Sequence, residues 1–128
     1  MHVRLAHVWE YHVAPDADAA FREHYGPEGT WVRLFRRSAG HLETLLLADE
    51  AAPGRYVTID LWESTAHYAR FRERFAAEYE ALDRQCAALT TREVSLGVFA
   101  GVPDAAARTE RDTSHGAGTP GDGPEGAA

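Results

Sequence analysis

The segment Tyr56-Val57-Thr58-Ile59-Asp60-Leu61-Trp62-Glu63-Ser64 reads as a strand that runs straight into a helix. Tyr56, Thr58, Asp60 and Trp62 alternate with Val57, Ile59 and Leu61, the period of two that sends successive side chains to opposite faces. Ser64 suits a helix N-cap, where a hydroxyl satisfies a free backbone amide. Beyond it Tyr68, Phe71, Phe75, Tyr79, Leu82, Cys86 and Leu89 recur every three or four residues. That stripe predicts one continuous amphipathic helix of about six turns.

Upstream, His41 to Ala48 is a second strand, joined to the first by the loop Asp49-Glu50-Ala51-Ala52-Pro53-Gly54. So short a connection makes the two antiparallel neighbours. Val3 to Val13 alternates as well, with Val3, Leu5, His7, Trp9, Tyr11 and Val13 on one face. Pro15 and Asp16 stop it, and a helix carrying Phe21, His24 and Tyr25 follows, ending near Gly26-Pro27. Trp31, Leu34 and Phe35 mark a second short helix whose wet side takes Arg33, Arg36 and Arg37, with Gly40 as its C-cap. Thr91 to Phe99 closes the domain, with Val94, Leu96 and Val98 on one face.

The order β-α-(α)-β-β-α-β is that of an α+β, ferredoxin-like βαββαβ fold: a four-stranded antiparallel sheet with helices on one face. The other face then needs cover. A second copy, sheet against sheet, supplies it under two-fold symmetry, so a homodimer is expected. Residues 1–101 make this domain. Residues 102–128, rich in Gly, Pro and Ala, have no aromatic, Leu or Ile and cannot offset their ordering entropy, so a disordered tail is expected.

Composition narrows the function. A net charge of −7, from 20 acidic and 13 basic residues, speaks against nucleic acid and anionic membranes as partners. The single cysteine, Cys86, permits no intrachain disulfide and reads as a small core residue. No apolar leader and no apolar run of ~20 residues is present, so a cytoplasmic protein is expected. His7 and His12 point to opposite faces of one strand, and no HxH, HxxxH or CxxC pair occurs, so no metal is expected. No Gly-rich phosphate loop supports a nucleotide or flavin.

Three patterns resemble the antibiotic biosynthesis monooxygenase family of dimeric α/β-barrel proteins: Trp9-Glu10-Tyr11-His12-Val13-Ala14-Pro15; Gly26-Pro27-Glu28-Gly29 with Trp31, Leu34-Phe35-Arg36 and Gly40-His41-Leu42; and Tyr56 to Ser64 followed by Tyr68 and Phe71. Together they span roughly residues 3 to 100. The resemblance implies a dimeric α/β barrel and a mixed chemistry: cofactor-free oxygenases, heme-degrading enzymes, small-molecule isomerases and members with no known activity. In oxygenases that act on anthrone-like polyketides, the strand Trp and helix Tyr line the cleft; Trp62 and Tyr68 match them. Those enzymes also carry an Asn four residues before the Trp, where this chain has Thr58. The heme-degrading branch needs a His on the second long helix and an Asn on the first strand. Phe75 to Leu89 holds no His, and Trp9 stands near the Asn position.

The candidate residues each carry two readings. Trp62 is a packing anchor or a cleft wall. Tyr68 is a core tyrosine or a donor to a phenol or ketone. His67 pairs with Glu63 at i+4 or serves as a base. His7, Trp9 and Tyr11 face the cleft, with His7 then a base candidate, or face a sheet partner. Thr58, Trp31, Phe35 and Phe71 complete the expected substrate pocket. Implied is a cofactor-independent monooxygenase that deprotonates a hydrophobic aromatic or polyketide-type molecule for direct reaction with dioxygen. A polyketide cyclase or isomerase, or a non-catalytic dimeric binding or stress protein, fits the same scaffold.

Overall fold

The computed structural model describes residues 4–102. The tail expected from 102 onward lies outside the described residues except for Val102, which is 87 % exposed. Four strands, β1 (Leu5–His12), β2 (His41–Ala48), β3 (Arg55–Trp62) and β4 (Arg92–Ala100), form one sheet in the order β2-β3-β1-β4. Every pairing is antiparallel. Helices α1 (Asp18–Tyr25), α2 (Thr30–Phe35), α3 (Thr65–Arg74) and α4 (Ala76–Cys86) complete the expected α+β, ferredoxin-like arrangement. The sheet is open, with β2 and β4 as its edges.

β1 is shorter than Val3 to Val13: Val13 lies just beyond it and donates its amide to the Gly54 carbonyl at 2.8 Å. Gly54 turns there at a φ of 89°, which favours a residue without a Cβ. Pro15–Ala17 is a single 3-10 turn before α1. α1 delivers Phe21 and Tyr25 to the core, their rings stacked at 4.4 Å. α2 buries Trp31, Val32, Leu34 and Phe35. Its arginines stay outside as expected: Arg36 pairs with Glu28 at 3.1 Å and Arg37 lies over the Phe75 ring.

Two expectations are corrected. The helix after Ser64 is not continuous. Ser64 does cap it, accepting from the His67 amide at 3.1 Å, but the chain leaves helical geometry at Phe75, with φ −110° and ψ 29°. α4 resumes at once, and a 3-10 turn, Ala87–Leu89, ends the stripe. Apolar spacing is blind to this break because Phe71, Phe75 and Tyr79 keep four-residue steps across it. Likewise Val94, Leu96 and Val98 do not share a face. Val8 pairs with Gly97 but Trp9 pairs with Ser95, so Leu96 is the extra residue of a β-bulge. Val94 therefore stands opposite Glu10 and Val98 opposite His7, on opposite sides of the sheet.

The register defines both faces. Toward the helices run the rows Leu5–Trp62, His7–Asp60, Trp9–Thr58 and Tyr11–Tyr56. Away from them lie Ala6–Leu61, Val8–Ile59 and Glu10–Val57, extended on β2 by Leu45 and Leu47 and on β4 by Phe99. Leu47 is 47 % and Phe99 52 % exposed, so this outer face is apolar and open in the single chain. Its central charge, Glu10, accepts from Arg55 at 2.8 Å and lies 2.7 Å from His12 Nε2.

Candidate functional site

The helix-facing sheet surface alternates large and polar residues, and the helices do not fill the space above its middle. A cleft remains between β1, β2, β3, β4 and α1–α4, lined by His7, Trp9, Thr58 and Asp60 on the sheet and by Trp31, Phe35, Tyr68 and Tyr79 on the helices. The β1 ambiguity is thereby resolved: His7, Trp9 and Tyr11 face the helices and the cleft. The space is about 560 Å³ counting the open mouth, with about 50 Å³ in which the centre of a water molecule fits. That is room for about one or two waters.

Aromatic rings make the walls. Trp31 meets Tyr79 edge-on at 5.0 Å and Phe35 at 6.0 Å, and Tyr11 packs on Tyr25 at 4.9 Å. The His7 ring lies 4.0 Å from the Tyr68 ring. Trp62 and Phe71 are fully buried and stand behind the lining, Trp62 touching Phe35 at 5.5 Å and Tyr68 at 5.2 Å. Trp62 is thus the anchor that seats two wall residues. At the rim, Arg72 lies 3.9 Å over the Tyr79 ring and donates to the Tyr68 hydroxyl at 3.2 Å. The Tyr68 oxygen accepts there, so its own proton is available to a further acceptor.

His67 is outside this space. Its Nδ1 sits 2.7 Å from the Ser64 hydroxyl at the start of α3, and its Cβ packs against Gly40. The base expected there is not positioned to reach a ligand in the cleft.

Charge and hydrogen bonding set the cleft's chemistry. Burial, then the Arg72 cation, lowers the His7 pKa, so His7 is neutral at pH 7. Burial holds Tyr11, Tyr25 and Tyr79 un-ionised well above the usual phenol range. His7 Nε2, Trp31 Nε1 and Thr58 Oγ1 are buried without a hydrogen-bond partner among the described residues. Thr58 lies near the Tyr11 hydroxyl, and Trp31 near Tyr25 and Cys86, but neither approach has hydrogen-bond geometry. Unpaired buried polar groups are costly, and three around one cleft suit a ligand that carries oxygens.

The residue that the sequence reading passed over is Asp60. It faces the cleft between Thr44 on β2 and His7 on β1, its cross-strand neighbours. The Thr44 hydroxyl donates to Asp60 Oδ1 at 2.8 Å, and His41 Nε2 lies 2.9 Å from Thr44 Oγ1. Burial raises the Asp60 pKa to about 6, against the pull of the Thr44 hydrogen bond. Burial, then Arg36, lowers His41 to about 4, so its ring is neutral. The signal was present in the alternation: an acid on the strand face otherwise made of Tyr56, Thr58 and Trp62.

Among the described residues no three His, Cys, Asp or Glu side chains converge as a metal site would require, and no helix is long and apolar enough to cross a membrane.

No known family model matches this chain, and no curated protein matches it. Solved structures do. One named as an antibiotic biosynthesis monooxygenase, from Nitrosomonas europaea, superposes with a TM-score of 0.62 at 17% identity, over 80% of this chain and 94% of that one. Another so named, from Bordetella bronchiseptica, gives 0.61 at 19%, over 80% and 98%. SnoaB, a cofactor-independent oxygenase from Streptomyces nogalater, gives 0.50 at 21%, over 80% and 95%. At these identities the likeness is one of fold, and the resemblance read from residues 3 to 100 holds at that level.

Proposed function

We propose that this chain is a cofactor-independent monooxygenase acting on a hydrophobic aromatic, a phenol or anthrone of polyketide type. The observation that carries the reading is the cleft itself: aromatic walls enclosing the unpartnered polar atoms of His7, Trp31 and Thr58. The namesakes that share the fold support it. A substrate methylene flanked by aromatic rings loses a proton, and the carbanion adds to dioxygen. The resulting peroxide anion takes up the proton to become a hydroperoxide, which loses water, so CH2 and O2 become C=O and H2O. Surrounding rings exclude bulk water from the anion. Tyr68, whose oxygen accepts from Arg72, gives a hydrogen bond to a substrate oxygen, as do the Trp31 Nε1–H and the Thr58 hydroxyl. Trp62 and Phe71 act by seating Phe35 and Tyr68.

Oxygen uptake with a panel of anthrones and dihydroquinones tests this. Turnover without added flavin, heme or metal supports it; no uptake by the folded protein across the panel overturns it. Product formed without oxygen assigns a cyclase or isomerase instead.

The small water-sized volume favours one second reading, a non-catalytic binding protein. A tricyclic ligand needs the Tyr68–Arg72 rim to move. Ligand titration without turnover would select that reading.

We further propose that the chain works as a homodimer. Support comes from the outer rows of Leu45, Leu47, Val57, Ile59, Val8 and Phe99, apolar side chains for which a second sheet is the economical cover.

A further inference from the structure

Asp60 is a carboxyl with no cation to explain it. No described Arg or Lys is paired with it, and the one side-chain hydrogen bond it receives is that of Thr44 at Oδ1. It keeps partial contact with solvent through the cleft and is otherwise enclosed by protein. A lone acid in aromatic surroundings costs stability and contributes nothing to packing; groups of this kind cluster at working sites. The hydrogen bonds around it have one sense. Thr44 has a single hydroxyl proton. Given to Asp60, it leaves the Thr44 oxygen to accept from His41 Nε2, which fixes the neutral His41 as its Nε2–H tautomer. The chain His41 → Thr44 → Asp60 therefore delivers donors to the carboxylate and steadies Oδ1. Oδ2 receives no hydrogen bond from any described side chain. Phe35 and Trp62 hold the His41 ring in turn, each at 5.3 Å.

We infer that Asp60 is the proton acceptor of this cleft, with Thr44 and His41 as positioning residues and His7 as a neutral partner to substrate oxygen. This rests on the oxygenase reading above and replaces both histidine bases expected there. In the step, the substrate C–H bond breaks, its electron pair stays on the substrate as the carbanion, and an O–H bond forms on Asp60. After dioxygen adds, the same proton returns to the peroxide anion and gives the hydroperoxide. Asp60 is ionised at pH 7 yet basic enough to take a proton from a bound acid, the compromise a general base needs. The titratable and charged groups facing it are His7 and Tyr11 from β1, Thr44 with His41 from β2, Tyr25 from α1, Tyr68 with Arg72 from α3, Tyr79 from α4 and Glu93 from β4.

Anthrone in D2O without oxygen isolates the proton transfer, because its methylene hydrogens exchange each time the anion forms and is reprotonated. The full-length wild-type chain should catalyse that exchange, with a rate that falls as pH drops through about 6. Asp60→Asn should lower it by at least roughly 100-fold, the usual size of general-base catalysis, with anthrone binding kept within a few-fold. Asp60→Glu should recover part of the rate and shift the acid limb. Asp60→Asn exchanging at the wild-type rate, with the limb unmoved, overturns the assignment. Oxygen uptake measured in parallel separates the two ideas. Wild-type exchange without uptake removes the oxygenase reading and leaves Asp60 as base. Uptake that survives Asp60→Asn removes Asp60 and leaves the oxygenase. A folded wild-type chain that does neither overturns both.

Discussion

Thr44 and Asp60 stand directly opposite each other on β2 and β3, and the Thr44 hydroxyl donates to the Asp60 carboxylate at 2.8 Å. That bond favours the ionised acid and works against burial, which favours the neutral one. Thr44→Val keeps the shape and removes the donor. The Asp60 pKa should then rise further, moving the acid limb of activity to higher pH and lowering the rate at pH 7. A pH–rate profile with the limb in place would show that Thr44 does not govern this acid.

Asp60→Asn should be more stable than the wild type at neutral pH. The folded-state pKa of about 6 lies above the ordinary 3.8, so the folded chain holds a proton that the unfolded chain releases between those values. This contribution is fully present below about pH 4 and is lost as pH rises through 6. Asn carries no charge and escapes the loss. The variant should exceed the wild type by up to about 3 kcal/mol at pH 7.5 and match it near pH 4. Urea unfolding of both chains at the two pH values measures this. Equal stabilities at pH 7.5 would mean Asp60 is not strained.

Strand alternation, the Ser64 cap and the spacing of Tyr68 to Leu89 carried the element order, because period and capping are local. What they missed depends on pairing. The bulge at Leu96 and the break at Phe75 leave the apolar spacing untouched, so no pattern of residues announces them. Which face of β1 meets the cleft depended on where α1 and α2 dock. The match of Trp62 to a substrate-lining position gave way to burial, since Phe35 and Tyr68 cover it. Asp60 needed the most context: its meaning comes from Thr44 and His41, distant in sequence and adjacent only in the sheet. His67 shows the converse, a histidine with the right chemistry held by the helix cap.

Gly40 closes the turn from α2 into β2 at a φ of 107°, and its carbonyl accepts from the Glu63 amide at 2.8 Å. A Cβ there would lie 2.5 Å from the Cβ of His67, an atom fixed to α3. Gly40→Ala therefore combines left-handed strain with a clash and should cost on the order of 2–3 kcal/mol. Thermal unfolding would record it. Two ring atoms of His67, Cγ and Cδ2, would lie 2.7 and 2.8 Å away as well, so His67→Ala should relieve part of the clash but leave the Cβ contact and the left-handed strain; full rescue would place the obstruction in the ring.

Phe99→Asp combined with Leu47→Asp should convert a dimer into a folded monomer. Both side chains lie on the outer sheet face, about half exposed in the single chain, one on each edge strand. Neither belongs to the core around Phe21, Trp62 and Phe71, so the fold should survive. In a sheet-to-sheet dimer each aspartate would lose its water on a face where Arg55 is already paired with Glu10 and Asp49, a penalty of several kcal/mol per buried charge. A stable interface buries about 800 Å² per partner, so the loss of two apolar anchors compounds that penalty. Sedimentation should give twice the chain mass for the wild type and a single chain mass for the double variant, with unchanged circular dichroism. A wild-type monomer would discard the dimer, and a variant that still dimerises would move the interface off this face.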